Sequence, residues 1–305
     1  MKRKLLFIVL AFFSIYVFWG STYLWNKIAV SQLSPFYISG IRMFSGALLI
    51  FIIAKLMRLS LVITRRQFFN TAIAGFLFLA FGNGMMVWAL KYIDSGFASL
   101  ISALNPLFVV VILAVINKKR MQPMTIVGIS LGILGMFLLV SQQELNFEEG
   151  STIGVFMVLS AVTAWSTGSV YVSKADLPKN HFVSTGYQMI VASVLLLSAS
   201  LILGEEWLAP QYWENQVSIS LICLVLFGSI AAFTSFNYLL KVVDTEKVTT
   251  SAYINPIVAL VLGWYFLNET ITVQSMVAAG ILLTGVYFIN SRKRGPNDAI
   301  SKKKL

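Results

Sequence analysis

Two Asn-Pro pairs, Asn105-Pro106 and Asn255-Pro256, lie inside strongly apolar stretches of the chain. Proline lacks a backbone N–H and frees the carbonyl one helical turn before it. Each pair therefore sets an unpaired carbonyl beside an amide side chain, a combination that binds a polar substrate group or only kinks and hinges the helix. Arg42 is also embedded in an apolar run. An arginine at the centre of a bilayer costs roughly 2.5–3.5 kcal/mol, less where the side chain reaches an interface. Two readings are open: Arg42 faces a cavity and attracts an anionic or carboxylate-bearing substrate, or it pairs with Asp94 or with helix carbonyls. Rings of Trp19, Trp165, Trp88 and Tyr238 are placed to wall a cavity. Tyr253, beside the second pair, and Gln188 complete the set of substrate-binding candidates. Lys27 and Asp94 are edge charges with a gating role in view, Lys27 having a stem long enough to snorkel to the interface.

Other chemistries lack their parts. With one cysteine (Cys223) and one histidine (His181), the chain has no disulfide, thiolate cluster or histidine metal site. Neither cofactor nor metal is expected, and an enzyme is not. No Asp or Glu lies deep in an apolar segment, so an embedded proton relay is missing. A facilitator, or weak coupling through an edge group such as Asp94, is the expectation. An intramembrane enzyme and a channel-like pore are the alternatives. The first needs a catalytic constellation at depth, and the second usually needs a symmetric ring of filter groups.

The elements that carry these residues follow from composition. Of 305 residues, 58% are hydrophobic and 11% charged, against about 25% charged in a soluble domain. Lipid is the solvent for such a chain. Ten segments are long and apolar enough to span a bilayer: 5–29, 35–56, 68–90, 95–116, 124–140, 153–172, 182–204, 218–240, 248–267 and 273–290. The basic N-terminus and its apolar run resemble a signal peptide, but the run continues to Trp19 without a cleavage site and reads as a retained span. Of the 23 lysines and arginines, all but Lys91, Lys27 and Arg42 fall in segments on one side. That places both termini in the cytoplasm. The outer segments hold Glu144, Glu148, Glu149, Glu205, Glu206 and Glu214. Trp207, Trp213 and Trp264 read as interfacial anchors, and Gly128, Gly132 and Gly135, echoed by Ala278 and Gly285, as close-packing faces used within the chain. The net charge of +11 lies in short runs between spans, so no nucleic-acid partner is expected.

The chain repeats itself. An offset of 150 pairs Leu90 with Leu240, Lys91 with Lys241, Asp94 with Asp244, Asn105 with Asn255, Pro106 with Pro256 and Gly135 with Gly285; an offset of 146 pairs Trp19 with Trp165 and Arg42 with Gln188. Each copy holds five spans. Five is odd, so the second copy is inverted in the membrane, the arrangement of secondary transporters with a midplane site. The expected architecture is an all-α membrane protein of ten transmembrane helices. It comprises a first five-helix repeat (1–145), a second, inverted one (146–291) and a basic cytoplasmic tail (292–305).

The ordered strings Phe18-Trp19-Gly20-Ser21-Thr22-Tyr23 with Lys27, Pro35 with Arg42, Ala89-Leu90-Lys91-Tyr92, the Asn-Pro pairs and Leu267-Asn268-Glu269-Thr270 resemble the EamA-type members of the drug/metabolite transporter superfamily, in particular YedA-like exporters. The resemblance implies export of small metabolites or drugs across a bacterial inner membrane. Alternating access between the two halves is the expected mechanism. The expected partners are the lipid bilayer and a small-molecule substrate, and the chain is expected to be a monomer or weak homodimer. Lys118-Lys119-Arg120 stands where the first repeat of that family often has an acidic residue matching Glu269.

Overall fold

The structure is a computed structural model that describes residues 2–118, 123–141, 150–243, 248 and 251–290. Lys119, Arg120, Glu144, Glu148, Glu149, Asp244, Lys247 and the tail 292–305 lie outside the described residues, as does the side chain of Tyr253. The described chain is all-helical. Seven helices are long and apolar enough to cross a membrane: α1 (Leu5–Val30), α2 (Pro35–Leu56), α3 (Arg65–Ala89), α4 (Ser95–Ile116), α6 (Ser151–Val172), α7 (His181–Ile202) and α8 (Asn215–Leu239). Three shorter apolar cores lie within α5 (Pro123–Val140), α9 (Ser251–Leu267) and α10 (Val273–Asn290).

Local chemistry sets the helix ends. Pro35 occupies the first turn of α2, where its missing N–H is harmless. Thr64 and Gln67 form a reciprocal capping box at the start of α3. Asn180 accepts from the N–H groups of Phe182 and Val183 at the start of α7.

The outer faces are greasy throughout: Leu56, Val115, Phe137, Phe156 and Leu201 are each more than 60% exposed. Small buried residues pack between the helices instead. This is a multi-pass membrane protein, because water would tolerate no such surface on so many faces.

The packing has a hidden symmetry. Helix α2 packs on α7, and α5 on α10; α1 packs on α8 and α9, and α6 on α3 and α4. Shifting every helix by five maps this set of pairs onto itself. Equivalent helices also run in opposite directions. Connections 31–34, 90–94, 203–214 and 268–272 gather at one end, tied by Glu205 to Phe36, Gln32 to Tyr212 and Glu269 to Ser95. At the other end, Asn70 meets Asp176 and Tyr187 meets Leu61. Lys55, Arg58, Arg65, Arg66, Lys174 and Lys179 belong to this second, basic end, and the first is the acidic end.

The small faces of α5 and α10 meet each other, as expected for packing within one chain. A methyl group on Gly285 would lie 2.8 Å from the Gly128 carbonyl oxygen and 3.0 Å from the Gly132 nitrogen. One on Gly135 would lie 2.8 Å from Leu282 Cγ. Backbone cannot retreat as a side chain can. Gly285→Ala is therefore expected to destabilise the protein by about 1–2 kcal/mol despite its better helix propensity, read as a lowered melting temperature in detergent.

Helices α3 and α8 carry equivalent π-helical stretches, Phe76–Asn83 and Leu224–Phe233. Helix α1 has a third at Ser14–Phe18, whereas its counterpart α6 is regular throughout. Such stretches shift the carbonyl register and mark hinges.

Candidate functional site

A cavity of about 680 Å³ lies between the halves, large enough for a drug-sized ligand. It starts beside Arg42 and runs to the α6–α7 connection at the basic end, where Ser173, Ala175 and Leu177 line it. Trp19, Trp165, Arg42 and both Asn-Pro pairs are in its wall.

Arg42 sits two turns, about 10 Å, into α2 and is only 4% exposed. Its Nε donates to Ser229 Oγ at 2.9 Å, and its Nη1 reaches Asn83 Oδ1 at 3.3 Å and Asn26 Oδ1 at 3.5 Å. The expected alternative, pairing with Asp94, is not realised; all three side-chain partners are neutral. The position is made by Gly228, where a Cβ would lie 2.8 Å from Arg42 Nη2. Asn83 Nδ2 is buried without a hydrogen-bond partner. A cation and an unused amide donor therefore sit side by side, the donor set that a carboxylate accepts from.

Aromatic rings form the middle of the cavity. Trp19 stands edge-on to Trp165 at 5.5 Å and 4.9 Å from Phe236, and Trp165 lies 4.8 Å from Phe78. Close to Arg42 on one side and to open cavity on the other, these rings offer an apolar bed to the body of a ligand.

The two Asn-Pro pairs differ. In α4 the helix breaks at Ala103–Leu104 and restarts at Asn105. Pro106 offers no N–H to the Ser102 carbonyl, and both Ser102 and Ala103 face the cavity. Asn105 accepts a bond at its backbone carbonyl from Ser166 Oγ (3.2 Å), and its side chain has no partner among the described residues. In α9 the helix runs on through Pro256. Turned with its nitrogen toward α1, the Asn255 amide donates to the carbonyls of Ile15 (2.8 Å) and Tyr16 (3.0 Å), inside the π-helical stretch.

Four of the candidate residues lie outside the cavity wall, Trp88 and Gln188 among the substrate-binding candidates and the two edge charges Lys27 and Asp94. Lys27 Nζ, instead of reaching the interface, donates to the carbonyls of Leu90 and Ile93, both at 2.8 Å. It caps the end of α3, where carbonyls lack partners and the helix dipole favours a cation. Trp88 packs edge-on against Phe36 at 5.2 Å, away from the cavity wall. Gln188 is fully buried, bonded to Ser184 Oγ at 3.1 Å beneath the wall. Asp94 precedes the first turn of α4 beside Glu269, at the acidic end.

That end is sealed. Glu269 accepts from the N–H groups of Ser95 (2.8 Å) and Gly96 (3.0 Å), and Glu205 from those of Phe36 (3.2 Å) and Tyr37 (2.9 Å). Each carboxylate ties the first turn of one helix to a distant connection, with charge and dipole matched. Tyr37 also stacks on Trp207 at 5.1 Å. Neither glutamate, nor Asn26, Asn83, Gly228 or Ser229, was singled out in the sequence as part of a site. Polar Asn26 and Asn83 within apolar runs were the available signal. Glu269→Gln is expected to weaken the seal by about 1 kcal/mol. Faster amide hydrogen exchange at Ser95 and Gly96 would register it.

Comparison with known proteins agrees with this architecture. A model described as the EamA-like transporter family matches residues 6–141 and 152–291. The "Uncharacterized inner membrane transporter YedA" of Escherichia coli K12 is 32% identical over 292 residues, covering 95% of this chain and 93% of that protein. The "Uncharacterized transporter YoaV" of Bacillus subtilis is 25% identical over 94% of this chain and 99% of its own length. The "Probable amino-acid metabolite efflux pump" of Salmonella typhimurium is 25% identical over 94% and 95%. A solved crystal structure superposes with a TM-score of 0.67 at 17% identity, covering 92% of this chain and 95% of that one, a likeness of fold.

Proposed function

The chain belongs to the EamA-like transporter family, and on that footing we propose that it is a secondary transporter that exports small carboxylate-bearing metabolites by alternating access. In this reading all ten helices span the bilayer, as two inverted halves, 1–145 and 146–291. Both termini and the tail 292–305 lie in the cytoplasm, and the membrane is a bacterial inner membrane. The chain works as a monomer, since its small-residue faces are consumed by the α5–α10 contact.

One observation carries the reading: two halves with equivalent packing surround a cavity that, among the described residues, reaches the basic end. With the basic end in the cytoplasm, this is the inward-facing state. The Asn255 amide is engaged with the π-helical stretch of α1, while the amide of its equivalent Asn105 has no partner among the described residues and meets the regular helix α6 only through its backbone carbonyl, at Ser166. At the offset of 146, the counterparts of Ile15 and Tyr16 are Ala161 and Val162, which line the cavity with Asn105. Exchanging the two halves' conformations moves the π-helical stretch from α1 to α6, hands the amide contact from Asn255 to Asn105, and opens the other end. Such a device serves a carrier, which needs two states of similar energy.

The test is untargeted mass spectrometry of spent medium from cells with and without the protein. A carboxylate-bearing metabolite that accumulates outside only in expressing cells is the expected result. Accumulation confined to compounds without an anionic group would reject the substrate class, and an unchanged profile would reject export.

A further inference from the structure

Arg42 poses a problem for an empty carrier. To turn over, the protein must close the cavity at the basic end before it opens at the other. At that moment the guanidinium is shut away from water on every side. Its partners Ser229, Asn83 and Asn26 donate no charge, and among the described residues no carboxylate belongs to the cavity wall. An unpaired charge in a closed, low-dielectric space is strongly disfavoured, and a buried charge is tolerated when a counter-ion shares the space. In the open state Arg42, although only 4% exposed, borders a cavity that reaches the basic end, and solvent in that cavity screens it across the wall. In the occluded state only the ligand's anionic group can.

We propose that the carboxylate of the substrate is the missing counter-ion that permits closure, so that the protein is an exchanger: it carries one organic anion out and returns only with another. The inference rests on the transport reading above and extends it to the coupling. Bound at Arg42 and the unused Asn83 amide, a monoanion makes the occluded site neutral in both directions. The exchange moves no net charge when both anions are singly charged. Net export is then driven by the gradient of the returning anion, and no embedded proton relay is needed.

The prediction concerns the empty protein and needs no identified substrate. Met86 lines the cavity near the end of α3 that is sealed here. In a Cys223→Ser background, Met86→Cys reports opening toward the acidic end through an impermeant maleimide. The reagent is added to right-side-out vesicles washed free of metabolites, in sulfate buffer. With Arg42 intact, labelling is expected to be slow, because the empty carrier stays inward-facing. Arg42→Met removes the uncompensated charge and is expected to accelerate labelling at least about tenfold. Ser229→Asp keeps Arg42 and supplies a counter-ion at the position whose hydroxyl lies 2.9 Å from Nε. It is expected to unlock the carrier equally, and Arg42→Lys to leave it locked. Should Arg42→Met fail to fold, the contrast between Ser229→Asp and Arg42→Lys decides alone. Equal labelling of all variants, fast or slow, overturns the exchange mechanism. Fast labelling in all leaves alternating access standing, whereas its absence in all overturns alternating access as well.

Discussion

Replacing Arg42 with glutamine is expected to lower transport of a carboxylate-bearing substrate by about thirtyfold or more, measured as initial rate at subsaturating substrate in proteoliposomes. Removing one member of a buried charged pair costs roughly 2–5 kcal/mol, and each 1.4 kcal/mol is a factor of ten. Glutamine keeps donors for Ser229 and Asn83 but offers no charge to the ligand. Gly228→Ala tests the same geometry with the charge retained. Its methyl group would stand 2.8 Å from both Arg42 Nη2 and Thr22 Cγ2. The guanidinium must shift, and a loss in the same direction, smaller by about tenfold, is expected. Binding of an uncharged substrate analogue, as opposed to its transport, should be nearly indifferent to both changes, which separates charge recognition from damage to the fold.

The second large effect concerns the Asn-Pro pairs, whose two members should respond in opposite senses. In the proposed exchange of states, Asn255→Ala removes two hydrogen bonds that belong only to the inward-facing one. At about 1 kcal/mol each, the balance should move some thirtyfold toward the outward-facing state. Asn105→Ala should leave the inward state untouched and destabilise the outward one. Distances between spin labels at the basic end, on the 57–64 and 173–180 connections, distinguish the two outcomes. A shift in the same direction for both variants would make the pairs ordinary kinks.

Much of this architecture was legible because it rests on one-dimensional physics. A bilayer demands about 20 apolar residues per span, and the described helices fall where the apolar segments do, with edges such as Arg65 and Asn215 a few residues early. The repeat was legible because Asn, Pro and Gly at fixed spacing do not recur by hydropathy alone. What sequence left open was partnership. Lys27 was equally suited to water or to a helix end until α3 was seen to terminate beside it. Trp88 shares its place in the repeat with Tyr238, yet neither ring is in the cavity wall: Trp88 packs on Phe36, and Tyr238 on His181, which is itself in that wall. Arg42 and Gln188 are equivalent by position but not by environment: one faces open space and the other is packed beneath it. Helix crossings, fixed by glycines such as Gly228, decide these matters.

The bond between Arg42 and Ser229 joins residues 187 apart in sequence, and this has a consequence for biosynthesis. At about 5–20 residues per second, roughly 10–40 s separate the emergence of α2 from that of α8. During that interval the arginine has entered the membrane without the helix that receives it, and the glutamates that seal α2 and α4 have yet to be made. The first half is thus a stranded intermediate that needs shelter, from the insertion machinery or from lipid headgroups, until translation delivers its partner. Mutations that slow elongation between the halves should reduce the yield of folded protein without altering a single native contact.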